Sequence, residues 1–244
     1  LETYLYTMLR HLPNALTLLN LFSGSCAVIL LLQGYELTAL YCLLVCGIAD
    51  FLDGLVARAL KVSGDLGREL DSIADTISFG LVPAAILYVL NKDSIQANSH
   101  GLSIAFVCFL IAVASGLRLA LFNLDTRQHE HFIGLNTPMN TMFYAGLLVM
   151  KLNNYQGIEY FREMGWPVYA CIILTCFLLL SPIRMLNFKS GNSVSRTNSL
   201  RLLFAGGVGI LCIIAPILAL SLTVVWYLIV SFLYHFNTLN KKTT

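Results

Sequence analysis

Four aspartates fall within two neighbouring apolar stretches, in the run GIADFLDGLVARALKVSGDLGRELDSIADTISFG that covers residues 47–80. A charged side chain at the centre of a bilayer costs ~2.5–3.5 kcal/mol on insertion scales, so four of them in or beside membrane-length segments must have a use. Their spacing supplies one. At ~100° per residue, Asp50, Asp53, Gly54 and Ala57 share one face of a helix, and Asp71 and Asp75 lie one turn apart on the next. A turn at Ser63-Gly64 lets the two helices pack antiparallel, which sets Asp50 level with Asp75, Asp53 nearly level with Asp71, and Arg58 level with Gly67. Four carboxylates in one layer do not all stay ionised without counter-charge. Divalent cations that prefer hard oxygen ligands, Mg²⁺ or Mn²⁺, supply that charge and bring an affinity for phosphate. Gly54, Ala57 and Gly67 expose backbone and leave room for a ligand above the metals, while Arg58, one turn nearer the surface, is placed to hold a phosphate. Arg-paired or protonated packing carboxylates would explain any one of these aspartates, but not four at this spacing. A proton or cation relay also uses intramembrane carboxylates and stays open on the spacing alone.

The elements that carry this layer are apolar helices. Of the 244 residues 57% are hydrophobic and 11% charged, against about 25% charged in a soluble domain, which places most of the chain in lipid. Long apolar stretches cover roughly residues 14–32, 37–57, 70–90, 101–122, 138–152, 166–183, 200–217 and 218–236, each near the ~20 residues that a bilayer core requires. The expectation is eight membrane helices in one domain, all-α. If the helices alternate with the N-terminus inside, twelve of the fifteen Lys and Arg fall on the cytoplasmic side and only Lys92, Lys151 and Arg162 on the other. That bias puts both termini in the cytoplasm. A net charge of +2 is too small to suggest nucleic acid.

All seven cysteines lie inside apolar segments, where Cys behaves as a small hydrophobe, so neither a disulfide framework nor a zinc site is expected. No internal repeat supports an inverted-repeat transporter. Residues 1–7, ahead of Met8, carry no weight in this reading. Asn14 has two uses, as a cap of the first helix or as a lining residue of the site. Arg118 likewise is either a snorkelling cation or a substrate contact. His129 and His131 lie in a charged inner loop and read as surface histidines.

The run Asp50-x-x-Asp53-Gly54-x-x-Ala57-Arg58, eight further residues, then Gly67-x-x-x-Asp71-x-x-x-Asp75 resembles the signature of the CDP-alcohol phosphatidyltransferase family at all eight fixed positions. The resemblance implies transfer of a phosphatidyl group from a CDP-linked lipid to an alcohol, with release of CMP. It implies that Asp50, Asp53, Asp71 and Asp75 ligate two divalent ions, with Asp75 also the general base, and that Gly54 and Arg58 hold the CDP group. Ala57, Gly67, Asn14 and Thr17 join them as candidate CDP-lipid contacts. It further implies a homodimer and a six-helix core over residues 14–183. Around that core lie a cytoplasmic segment 1–13, a cytoplasmic loop 184–199, a lipid-facing accessory hairpin 200–236 bent near Pro216, and a cytoplasmic tail 237–244.

Outside the signature the chain is similar to the phosphatidylserine synthase branch of that family. The likeness rests on Pro13-Asn14-x-x-Thr17, on Arg118-Leu119-Ala120-x-Phe122-Asn123, on Phe132-Ile133-Gly134-Leu135 before Pro138, and on the stretch from Ser181 to Lys189. Two places depart from it: Ser181-Pro182-Ile183-Arg184, and Asn136-Thr137 where a Pro-containing loop is expected. The branch implies L-serine as acceptor and CDP-diacylglycerol as donor, in a bacterial inner membrane with the site facing the cytoplasm. Arg118, Asn123 and Arg184 are the candidate acceptor contacts. An acceptor such as glycerol phosphate or inositol phosphate is the alternative within the family, and a divalent-cation transporter the alternative outside it.

Overall fold

A computed structural model describes residues 10–62, 64–92, 101–124, 132–163, 165–186 and 195–240. Helix α1 spans Leu12–Leu32 and α2 spans Glu36–Leu60, with Gly34 at φ +87° turning the chain between them. Helix α2 closes on a left-handed Lys61 (φ 53°). Val62 N–H donates to Ala57 O at 3.0 Å and Lys61 N–H to Arg58 O at 3.2 Å, the paired bonds of a Schellman cap. After an extended Gly64, α3 spans Asp65–Asp75 and runs through a π-helical turn, Thr76–Leu81, into α4, Val82–Leu90. Helices α5, Gly101–Cys108, and α6, Leu110–Leu124, follow.

The chain forms two compact units that meet in sequence at Ala120 and Leu121. In the first, α1 packs along α2, α3, the π-turn and α4. The continuous span Asp65–Leu90 is its hub: 72% of its apolar window is buried, against 22–39% for the other membrane-length helices. Helix α1 is inverted relative to a soluble helix. Its buried face is Pro13, Thr17, Asn20, Ser23, Gly24, Ala27 and Leu31, whereas Leu18, Leu19, Phe22 and Ile29 are exposed. A lipid-facing surface must be apolar, so polar side chains retreat to the protein side.

The second unit holds strand β1, Phe132–Ile133, helices α7, Thr137–Leu152, α8, Gln156–Glu163, and α9, Trp166–Leu180, strand β2, Arg184–Met185, and helices α10, Ser195–Ile214, and α11, Ala219–Asn240. The two short strands pair antiparallel, Phe132 opposite Met185 and Ile133 opposite Arg184. Helix α11 packs on α7, α10 and β2, and its Tyr227 and Val230 are fully buried with Leu135, Leu178, Met185 and Leu186. Tyr227 donates its hydroxyl proton to Leu186 O at 3.2 Å, and Leu186 N–H donates to Ser231 Oγ at 3.2 Å. The loop with Arg127, His129 and His131, the stretch 187–194 with Lys189, and the tail 241–244 lie outside the described residues.

The expectation of eight membrane helices does not stand, nor does the six-helix core with an added hairpin. Among the described residues, four helices are long and apolar enough to cross a membrane: Leu12–Leu32, Glu36–Leu60, Asp65–Leu90 and Ala105–Leu124. Trp166–Leu180 is apolar but shorter, α7 has 16 residues, and the apolar stretches Ser199–Ile214 within α10 and Ala219–His235 within α11 are not counted among the four. Counting apolar residues measures composition, whereas spanning needs helical length. A 15-residue helix such as α9 rises only ~22 Å, short of the ~30 Å hydrocarbon core. Proline sets the length of α9: Ser181 before Pro182 is extended (ψ 146°) and ends it.

Gly134 joins the ladder to α9. Its N–H donates to Ile183 O at 2.9 Å and that of Leu135 to Leu178 O at 2.9 Å, which satisfies a carbonyl at the open end of α9. Gly134 has φ +75°, and a methyl group there would lie 2.7 Å from Leu179 O. Gly134→Ala is therefore expected to cost about 1–3 kcal/mol, from backbone strain and a clash that no side-chain motion relieves. A lowered thermal midpoint in detergent tests it, and an unchanged midpoint would show that this turn does not hold α9.

Candidate metal centre and its cleft

Helices α2 and α3 descend from the same short turn, and α1 packs on both. One carboxylate oxygen each from Asp50, Asp53 and Asp71 lies within 4.8 Å of the other two. Asp53 is 7% exposed and Asp75 8%, yet among the described residues no Lys or Arg pairs with any of the four aspartates within 4.0 Å. The ion pair at this end of α3, Arg68 with Asp65, is exposed. Three converging carboxylates with no paired cation fit a hard divalent ion in charge and in donor chemistry, and neither thiol nor imidazole belongs to the set. Asp75 lies outside the trio. It is one turn deeper along α3, and its Oδ1 accepts a hydrogen bond from Asn20 Nδ2 at 3.3 Å.

Above the trio opens a cleft of about 630 Å³, lined by Asp53 and Asp71, by Asn14 and Thr17 of α1, and by Gly54, Ala57 and Gly67. Thr17 Oγ lies 2.6 Å from Asp53 Oδ2 and 3.1 Å from Pro13 O, so its single proton serves either the ligand carboxylate or its own helix. Asn14 does not cap α1; His11 occupies the cap position without a side-chain bond. The Oδ1 of Asn14 lies 3.2 Å from where a Cβ at Gly67 would stand, so glycine there lets α3 approach α1. Arg58 is exposed and folds back along α2, its Nη1 3.3 Å from a Cβ position at Gly54.

Thus the candidates Asn14, Thr17, Gly54, Ala57, Gly67, Asp53 and Asp71 border one cavity, with Asp50 in the carboxylate trio. Of the proposed acceptor contacts, Arg118 is buried in α6 of the first unit, and Asn123 and Arg184 belong to the second. Two groups escaped the sequence reading. The first is the basic rim of the cleft, Arg10, His11, Lys61 and Arg68. Arg10 stands one helical repeat before Thr17, and Lys61 one turn after Ala57, so helical periodicity from the signature would have found them. The second is Asn20, fully buried on the same face as Thr17. The i, i+3 spacing from Thr17 was its signal.

A profile of the CDP-alcohol phosphatidyltransferase family matches residues 10–181, a stretch that holds every residue of the cleft. The chain is 33% identical over 235 residues to the CDP-diacylglycerol–serine O-phosphatidyltransferase of Mycobacterium tuberculosis, covering 93% of this chain and 77% of that protein. It is 30% identical over 219 residues to the protein of the same name from Helicobacter pylori, covering 89% and 87%. Over 186 residues it is 30% identical to the one from Bacillus subtilis, covering 74% of this chain and 93% of that protein.

Asp50→Asn, Asp53→Asn and Asp71→Asn are each expected to weaken Mn²⁺ binding at least ~10-fold, the smallest loss usual even for groups that only support a metal ligand. Asp65→Asn, at the exposed ion pair, should not. Electron paramagnetic resonance of free Mn²⁺ over a titration of the detergent-solubilised chain measures this. Unchanged affinity in all three variants would mean that the trio is not a metal site.

Proposed function

The chain belongs to the CDP-alcohol phosphatidyltransferase family, and we propose that it transfers the phosphatidyl group of CDP-diacylglycerol to L-serine, giving phosphatidylserine and CMP. The observation that carries this reading is the carboxylate trio at the floor of a cleft whose walls are the small residues of the signature. Serine as acceptor is supported by the names of the relatives and by the likeness at Pro13-Asn14-x-x-Thr17 and Arg118-Leu119-Ala120.

On this reading the nucleotide end of the donor enters the cleft. Gly54, Ala57 and Gly67 leave space for it, and the cationic rim with Arg58 holds its phosphates. Divalent ions on Asp50, Asp53, Asp71 and Asp75 would neutralise the charge that builds on the CMP leaving group. The serine hydroxyl oxygen attacks the phosphorus that bears the diacylglycerol. The new P–O bond forms as the bond to the CMP oxygen breaks, and Asp75 accepts the hydroxyl proton. Among the described residues no Ser or Cys lines the cleft, which favours direct displacement over a phosphatidyl-enzyme. Arg118, Asn123 and Arg184 are assigned to the acceptor by resemblance. The rim residues Arg10, Lys61 and Arg68 are among the cations that the positive-inside rule sets in the cytoplasm, so the cleft opens there and the diacyl tails stay in the bilayer.

Three outcomes test the reading. CMP release from CDP-diacylglycerol in detergent micelles should require divalent metal and should be fastest with L-serine in a panel that includes glycerol phosphate and inositol phosphate. A faster rate with another alcohol would replace serine but keep the family chemistry. Gly54→Leu fills the cleft wall and pushes Arg58 aside, so it should abolish CDP-lipid binding in a folded protein; wild-type nucleotide affinity would mean that the ligand lies elsewhere. Asp75→Asn should keep CDP-diacylglycerol binding and lose ~10²–10⁴-fold in turnover, whereas Asp50→Asn should weaken metal and nucleotide binding and recover in part at high Mn²⁺. Equal recovery of both variants with metal would make Asp75 a ligand only.

A further inference from the structure

Asn20 is an expensive residue where it stands. It lies in the middle of α1, it is completely buried, and among the described residues its Oδ1 has no hydrogen-bond partner. An unmet buried acceptor costs stability that a leucine of similar volume would not. What the site retains in exchange is the other half of the amide: Nδ2 donates to Asp75 Oδ1 at 3.3 Å. A carboxylate can only accept, so the N–H side of the amide is the one that must face Asp75.

The surroundings hold Asn20 rigidly. Its backbone carbonyl accepts Ser78 Oγ–H at 3.1 Å from the π-turn and Cys46 Sγ–H at 3.4 Å from α2. Gly24, one turn on, lets the π-turn lie against α1: a methyl group there would overlap Ser78 Oγ and stand 3.0 Å from its Cα. The π-turn begins at Thr76, the residue after Asp75. Such turns interrupt the regular helix locally and recur at functional sites. Here the interruption lets one stretch of chain reach Asn20 twice, at its side chain through Asp75 and at its backbone through Ser78.

We infer that Asn20 is a positioning residue for Asp75: its amide N–H holds Oδ1 and leaves Oδ2 as the oxygen free to act on the reacting groups. The inference rests on the reading of Asp75 as the group that takes the acceptor's proton. A residue that acts only through Asp75 has a recognisable signature, because its removal should cost nothing once Asp75 itself has been changed.

The experiment is a double-mutant cycle on the full chain in detergent micelles with wild type, Asn20→Leu, Asp75→Asn and the double variant. CMP release and Mn²⁺ affinity by electron paramagnetic resonance are both measured. Asn20→Leu is expected to lower kcat about 10–100-fold, as loss of a group that orients a functional carboxylate usually does. The KM for CDP-diacylglycerol should stay unchanged and the thermal midpoint should be no lower than wild type. In the Asp75→Asn background the same substitution should lower neither kcat nor Mn²⁺ affinity further. Equal losses in both backgrounds, or a wild-type kcat in Asn20→Leu, would overturn the inference. Should Asn20→Leu not fold, Asn20→Ala removes the donor without added bulk and is judged by the same outcomes. If Asp75→Asn alone turned over like wild type, the proton-acceptor reading would fail. The Mn²⁺ cycle would still decide whether Asn20 holds Asp75, coupling supporting it and additivity overturning it.

Discussion

The first unit is organised by one electrostatic constraint: several carboxylates share a layer inside apolar helices with no cation, among the described residues, paired to them. Like charges at this separation repel and are stripped of much of their water, so the surrounding structure must hold them together, and the trio offers three oxygen ligands to a divalent ion. Each local feature around the layer serves that end. The left-handed Lys61 closes α2 within one residue, so α3 returns at once and Asp71 comes level with Asp53. Gly67 admits Asn14 of α1, and Thr17 reaches across to Asp53.

The same constraint explains why α1 looks reversed. A helix between lipid and an anionic centre must offer leucine and phenylalanine outward, and hydroxyl, amide and glycine inward. Thr17, Asn20, Ser23 and Gly24 form that inner face, and two of them bond directly to Asp53 and Asp75. The span Asp65–Leu90, the most buried of the membrane-length helices, carries two of the aspartates and changes from α to π geometry directly below them. Burial and irregular backbone coincide there, where the span packs along α1.

The second unit solves a different problem, the termination of short helices. Helix α9 ends before Pro182, and its freed carbonyl at Leu178 is met by Leu135 N–H and by Ser181 Oγ–H. The two-residue ladder and the bonds from Leu186 to Tyr227 and Ser231 tie that end to α11. Apolar composition in this half of the chain therefore reports burial within a unit as much as contact with lipid.

The carboxylate cluster was legible in the chain because Asp50, Asp53 and Asp71 sit at helical intervals on both sides of a short turn, whereas Asp75, expected level with Asp50, lies outside the trio and bonds to Asn20. Gly54, Ala57 and Gly67, read from the same spacing, border the cleft. The length of α9 was not legible, because the apolar run 166–183 continues past Pro182, which ends the helix at 15 residues, short of the ~30 Å core. Nor was Asn20, whose part depends on α1 meeting α3 across more than fifty residues of sequence. The basic rim was visible only as charge until folding brought residues 10–11 beside residues 61–68. Local periodicity is written in one segment at a time. Which polar group faces which carboxylate, and where a cavity opens, is decided only when separate segments pack, because those contacts belong to pairs of helices and not to either one.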